Sequence, residues 1–168
     1  MTEQIIVIDD LYDIAHQYHR GFFENKCVIT DETVGKISQI IGNPIEIVSA
    51  TNEVGSIPGV VAHLGCDWIA VIYLTLPLES FGEFGLKFYS HLETGLETFP
   101  TQKEMVKYKI DENQLNKVFS SDLNLWKEYA KIPLRYNRMI LFRGNRWHSY
   151  ESNLNNSMLY QKLIIKNA

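Results

Sequence analysis

The feature that most constrains this chain is a change of hydrophobic period at Gly42-Asn43-Pro44. Before that point apolar residues recur at helical spacing. Leu11, Ala15, Tyr18 and Phe22 share one helix face, with Asp10 placed as N-cap and Asp13 complementing the open N–H groups. Val34, Ile37 and Ile41 repeat the pattern in a second helix, opened by Asp31 and stopped by the Gly-Asn-Pro run. After it, apolar residues come in short runs rich in β-branched and aromatic side chains. Ile45 to Ala50, Val60 to His63, Trp68 to Thr75 and Leu86 to Tyr89 read as strands, as does the earlier run Ile5 to Ile8. A helical pattern returns from Asp111 to Tyr129 through Leu115, Val118, Phe119, Leu125, Trp126 and Tyr129, with Asp122 placed to cap its second half. Arg138 to Phe142, then Trp147-His148-Ser149 beyond a Gly144-Asn145 turn, and Met158 to Lys166 beyond the polar Ser152 to Asn156 loop complete the strands. Two opening helices, many short strands and one helical insertion predict an α+β domain around a sandwich or open barrel.

Length and composition set the remaining bounds. A chain of 168 residues, 45% hydrophobic and 21% charged, is expected to form one globular domain over residues 1–168. The formal charge of −4 and the lack of any basic cluster argue against a nucleic-acid partner, which would need a concentrated basic face. Cys27 and Cys66 cannot make a disulfide framework. No basic leader precedes a long apolar stretch, and no apolar run approaches the roughly 20 residues that span a bilayer. A reducing, cytoplasmic setting without a membrane partner is the expectation.

Two segments carry the chemistry. In the first, His63 closes one short run, Leu64-Gly65-Cys66-Asp67 turns, and the hydrophobic run from Trp68 ends in Tyr73-Leu74-Thr75. In the second, Arg135 to Phe142 turns at Gly144 and returns with Trp147-His148-Ser149. Two histidines far apart in sequence, each at the edge of a β-run, are what a jelly roll needs to set two imidazoles on one metal. Neutral imidazole is a good ligand for iron(II), and its second nitrogen can be fixed by an acceptor behind it. Spacing alone leaves each histidine open to a structural role.

On these segments the chain resembles the prolyl-4-hydroxylase-like branch of the iron(II)/2-oxoglutarate oxygenases. The likeness extends to Ile8-Asp9-Asp10-Leu11-Tyr12 and to Gly85-Leu86-Lys87-Phe88-Tyr89-Ser90-His91-Leu92-Glu93-Thr94-Gly95, and it leaves out the insertion near residues 101 to 130. The resemblance implies a double-stranded β-helix, or jelly roll, with N-terminal helices and a helical insertion. It implies His63 as first metal ligand, His148 as the distal one, and Tyr73 as a hydroxyl that binds a 2-oxoglutarate carboxylate. It also implies an enzyme that couples oxidative decarboxylation of 2-oxoglutarate to hydroxylation or halogenation of a small molecule or a side chain. The alternative is a degenerate jelly-roll binding protein without oxygenase activity.

Two departures stand out. The family's first ligand pair is His-x-Asp, and this chain reads His63-Leu64-Gly65. The family places an arginine on the last strand for the distal carboxylate, whereas Ser157-Met158-Leu159-Tyr160 stands here, with Lys162 the nearest cation. Gly65 leaves three readings open. Halogenases of the superfamily carry glycine or alanine there and bind a halide, so chloride is one candidate ligand. Asp67 is another, although on a regular strand it lies about 13 Å along and needs a turn to reach the metal. The third reading is loss of the metal site. Cys66 is expected to be a small packed thiol rather than a ligand. His16 and His19 are expected to be solvated or packed on the first helix, His91 is a pocket candidate by resemblance, and Arg138 is an ion-pair, cosubstrate or edge residue.

Overall fold

The computed structural model describes residues 4–13, 15, 27, 29–55, 57–75, 84–151 and 159–168. Most of the first expected helix, with Tyr18, Phe22, His16 and His19, lies outside the described residues, as do Ser152 to Asn156, Ser157 and Met158. The helix at residues 31–41, α1 (Asp31–Ile41), forms as the pattern predicts, but its cap is Thr30, whose Oγ1 accepts the Thr33 N–H at 3.2 Å. Asp31 is instead the first helical residue, where with Glu32 it complements the helix dipole. Gly42 ends α1 at φ 78°, the left-handed backbone that glycine adopts without strain.

Two antiparallel sheets follow. In one, β1 (Ile6–Ile8), β7 (Met139–Arg143), β4 (Trp68–Tyr73), β9 (Leu159–Asn167) and β2 (Ile45–Val54) lie side by side in that order. In the other the order is β3 (Ile57–Val61), β8 (His148–Glu151), β5 (Gly85–His91) and β6 (Trp126–Pro133). Every residue of β4 is buried, which is why its sequence is continuously apolar rather than alternating. Ile69, Val71 and Tyr73 face the layer between the sheets, with Ile140, Phe142, Leu86, Phe88 and Tyr150. Ala70 and Ile72 face the other way, with Leu141 and Leu163, and pack on Ile37 of α1 and on Leu11, Tyr12 and Ala15. A third cluster of Tyr89, Trp126 and Trp147 covers the outer face of the four-stranded sheet together with Ile110 and Phe119.

The insertion departs from the pattern. It contains α2 (Gln102–Tyr108), opened by a Thr101–Glu104 capping box, then α3 (Leu115–Val118) and a 3-10 turn at Leu123–Leu125. Asp122 caps that turn, accepting the Asn124 N–H at 3.0 Å. The helix expected through Tyr129 stops there, because Trp126 onward forms β6. The open edge of β5 needs partners for its backbone groups, and β6 supplies them from Gly85↔Pro133 to His91↔Trp126. Lys87 and Glu128 pair across these strands at 3.2 Å. Strand pairing outweighs a local apolar spacing that fitted a helix. Among the described residues no helix is long and apolar enough to cross a membrane.

Candidate active site

Alternation along β8 sends Trp147 and Ser149 outward and His148 and Tyr150 into the layer between the sheets. His148 is fully buried between Val61 and Phe88 in register, with Phe142 edge-on at 4.8 Å and Tyr150 edge-on at 5.4 Å. Its Nδ1 lies 2.7 Å from the Arg146 carbonyl oxygen. A carbonyl only accepts, so Nδ1 carries the proton and Nε2 keeps its lone pair. That Nε2 is buried and has no hydrogen-bond partner among the described residues. Burial pushes the His148 pKa down to about 3 against the opposing pull of the Arg146 carbonyl, so the ring is neutral.

His63 stands past the end of β3, later than its expected place within the strand. Its N–H donates to Gly144 O at 2.8 Å, and Gly144 N–H donates to Asp67 O at 3.2 Å. The 63–67 turn is thus strapped onto the turn that leads into β8. The fit depends on Gly144, where a Cβ would stand 2.3 Å from Cys66 Sγ and 3.1 Å from His63 O. Held this way, the His63 ring stacks on His148 with centroids 5.5 Å apart and planes 30° apart. His63 Nε2 is also buried without a partner among the described residues. Burial lowers the His63 pKa, and the nearby Lys162 charge lowers it further.

The structure does not bring Asp67 to this pair. Gly65 reverses the chain at φ +87°, and the Asp67 carboxylate turns to the end of β9, accepting the Asn167 N–H at 3.0 Å. Among the described residues no third His, Cys, Asp or Glu joins the histidines in a metal-ligating group. Beside Gly65 the space is open, since a Cβ there would meet nothing within 4 Å. Cys66 is half-buried with its thiol 3.8 Å from His63 O, and burial raises its pKa, in keeping with a packed thiol.

The five-stranded sheet supplies the facing wall. Tyr73 is fully buried, its hydroxyl has no partner among the described residues, and burial raises its pKa far above the ordinary phenol value. Tyr150, whose hydroxyl is likewise unpartnered, stacks on Tyr160 at 5.1 Å and 11°. Tyr160 OH donates to Glu53 Oε2 at 2.9 Å. Lys162, two residues along β9 and so on the same face as Tyr160, brings Nζ to 4.0 Å from Glu53 Oε1. Buried polar atoms without partners are rare in folded proteins, and here two imidazole nitrogens and two phenol hydroxyls share one interior. The sequence pointed to His63, His148, Tyr73 and Lys162. It missed Tyr150 and Tyr160, although each lies two residues from a chosen position, and Glu53 carried no sequence signal.

Two other candidates have partners of their own. Arg138 forks onto Asp9, with Nε to Oδ1 at 2.6 Å and Nη2 to Oδ2 at 2.9 Å, and holds the Asp9 carboxyl below the usual carboxylate range. Its charge also reaches Tyr73, where it opposes the upward pull of burial on the phenol. His91 packs on Phe119 and Trp126, outside the four-stranded sheet, with Nδ1 3.1 Å from Thr94 Oγ1. It lines a cleft of about 470 Å³ together with Tyr108, Lys109 and Lys117, away from the paired imidazoles.

A family model described as a family of unknown function (DUF6445) matches residues 52–160. No curated protein matches in sequence. Among solved structures, HygX from Streptomyces hygroscopicus with iron bound is 8% identical, with a TM-score of 0.56 over 99% of this chain and 83% of that one. The non-haem α-ketoglutarate-dependent epimerase SnoN from nogalamycin biosynthesis is 10% identical, with a TM-score of 0.62 over 99% and 79%. The carbocyclase SnoK from the same biosynthesis, also α-ketoglutarate-dependent, is 14% identical, with a TM-score of 0.61 over 99% and 81%. At such identities the likeness is one of fold alone.

Proposed function

The chain belongs to the DUF6445 family of unknown function, and from its site we propose an iron(II)- and 2-oxo acid-dependent oxidoreductase acting on a small molecule. In this reading residues 1–168 form one double-stranded β-helix domain of the prolyl-4-hydroxylase-like branch. One observation carries it. His63 and His148 are stacked, neutral imidazoles whose Nε2 atoms are both buried and, among the described residues, unpartnered. A divalent metal satisfies both lone pairs at once, and neutral imidazole suits iron(II). The Arg146 carbonyl fixes the His148 tautomer with Nε2 as the ligating atom.

The facing wall suits the cosubstrate. Tyr73 OH and Lys162 Nζ offer a hydroxyl donor and a cation to the distal carboxylate of 2-oxoglutarate. Burying that carboxylate without a cation costs roughly several kcal/mol, and Lys162 is the cation this reading assigns to it. With 2-oxoglutarate bound, iron(II) supplies dioxygen activation coupled to decarboxylation of the 2-oxo acid, for hydroxylation or halogenation. The protein's own residues hold the ligands, fix the imidazole proton and exclude water. HygX has been solved with nickel, 2-oxoglutarate and hygromycin B, and SnoN with Fe3+, α-ketoglutarate and nogalamycin RO. A small-molecule substrate here follows that pattern.

Gly65 favours an exogenous third ligand. It has no carboxylate, and it stands exposed in the turn with the space beside it open to solvent, from which chloride or water would come. The competing reading, a jelly-roll binding protein without oxygenase activity, draws on the same lack of a third protein ligand among the described residues. Titration of manganese(II) by calorimetry separates them. The wild type should bind one equivalent, His148→Ala should abolish binding, and chloride should tighten it. Gly65→Asp should remove the chloride effect. Folded wild-type protein that binds no metal would leave the binding-protein reading standing.

A further inference from the structure

We propose that Glu53 tunes the anion site by occupying Lys162, so that a dicarboxylic 2-oxo acid gains this cation only by displacing the protein's own carboxylate. The inference rests on the cosubstrate reading above and concerns a residue that reading does not use. Glu53 lies on β2, opposite Tyr160 in register, and turns to the same side as Lys162. Both of its oxygens are engaged. Oε1 accepts Thr51 Oγ1–H at 2.9 Å and stands 4.0 Å from Lys162 Nζ, while Oε2 accepts Tyr160 O–H at 2.9 Å. The Glu53 side chain is 30% exposed and that of Lys162 11%, so the carboxylate sits where the interior meets water.

The charges around it decide the consequence. Lys162 and Glu53 already stand as cation and anion against each other, Nζ 4.0 Å from Oε1. A distal carboxylate arriving at Lys162 meets a cation already neutralised and a like charge beside it, which weakens its binding. Because Glu53 is partly exposed, it can turn to water when displaced, whereas Lys162 cannot follow. Glu53 thus lowers affinity for a 2-oxo acid with a second carboxylate and leaves one without it unaffected.

The test compares two ligands that differ only at that end. Calorimetry on the manganese(II)-loaded full chain measures 2-oxoglutarate and 2-oxopentanoate binding to wild type and Glu53→Gln. The glutamine keeps an acceptor for Tyr160 and nearly the same volume but carries no charge. The Kd for 2-oxoglutarate should fall about tenfold in the variant, with 2-oxopentanoate unchanged. In a Lys162→Gln background the gain from Glu53→Gln should vanish, which a purely structural effect would not do. Glu53→Ala repeats the comparison should the glutamine variant fold poorly. Equal or weaker 2-oxoglutarate binding in the variants, with binding retained in the wild type, overturns the role of Glu53 and leaves the oxygenase reading intact. Binding of 2-oxoglutarate by none of the metal-loaded proteins overturns both.

Discussion

In the metal-free chain the unfolded state takes up a proton on His148 near the ordinary pKa of 6.5, whereas the folded state resists until about 3. Between those values the unfolded form binds more protons, so acid works against the fold. The contribution is fully present above about pH 6.5 and is lost as the pH falls toward about 3, by up to about 1.4 kcal/mol per pH unit for this one proton. His63, also shifted down by burial, adds in the same direction. Thermal midpoints of chelator-treated protein between about pH 7 and 5 should fall more steeply for wild type than for His148→Gln. Parallel slopes would mean that His148 is not held neutral. The same residue shows what could be read early. Trp147-His148-Ser149-Tyr150 alternates, so a histidine facing inward beside a tyrosine was legible, but its neighbours Phe142 and Val61 come from other strands.

At the scale of elements, the site depends on two turns locked together. The 63–67 turn and the 143–146 turn exchange the His63 N–H to Gly144 O and Gly144 N–H to Asp67 O bonds. Arg146, buried at 3% exposure and paired with Glu97 at 3.3 Å, anchors the second turn and with it the carbonyl that orients His148. Gly144→Ala would drive a methyl into Cys66 Sγ and the His63 carbonyl. Overpacking of this kind costs about 1–3 kcal/mol, and here it pushes His63 away from His148. Manganese(II) affinity should therefore fall along with the thermal midpoint. Adding Cys66→Ala should recover part of both, since the thiol is the nearest atom to the new methyl. No recovery would show that the strain lies in the backbone alone. None of this coupling was legible, because it joins residues far apart in the chain.

At the scale of the whole molecule, β7 offers a direct comparison. Leu141 and Phe142 are adjacent and fully buried, but Leu141 packs toward α1 while Phe142 lies between the sheets against His148. Truncation of either to alanine should cost about 3 kcal/mol of stability. Only Phe142→Ala should also weaken metal binding, because it alone removes the packing behind an imidazole. Equal metal affinity in the two variants would contradict the placement of the site between the sheets.

What the sequence by itself determined are properties of neighbours along the chain. They include the change of period after α1, the apolar run that became β4, and the missing acid at Gly65. Alternation and capping act within a few residues, so they can be read locally. Only the tertiary structure decided which distant residues meet. It stacked His63 on His148, carried Asp67 to the end of β9, set Glu53 beside Lys162, and drew Trp126 to Pro133 out of a helical spacing into β6. The physical reason is that strand register and sheet order are chosen by pairing backbone hydrogen bonds and burying apolar faces across the whole chain at once. A local pattern constrains that choice without making it.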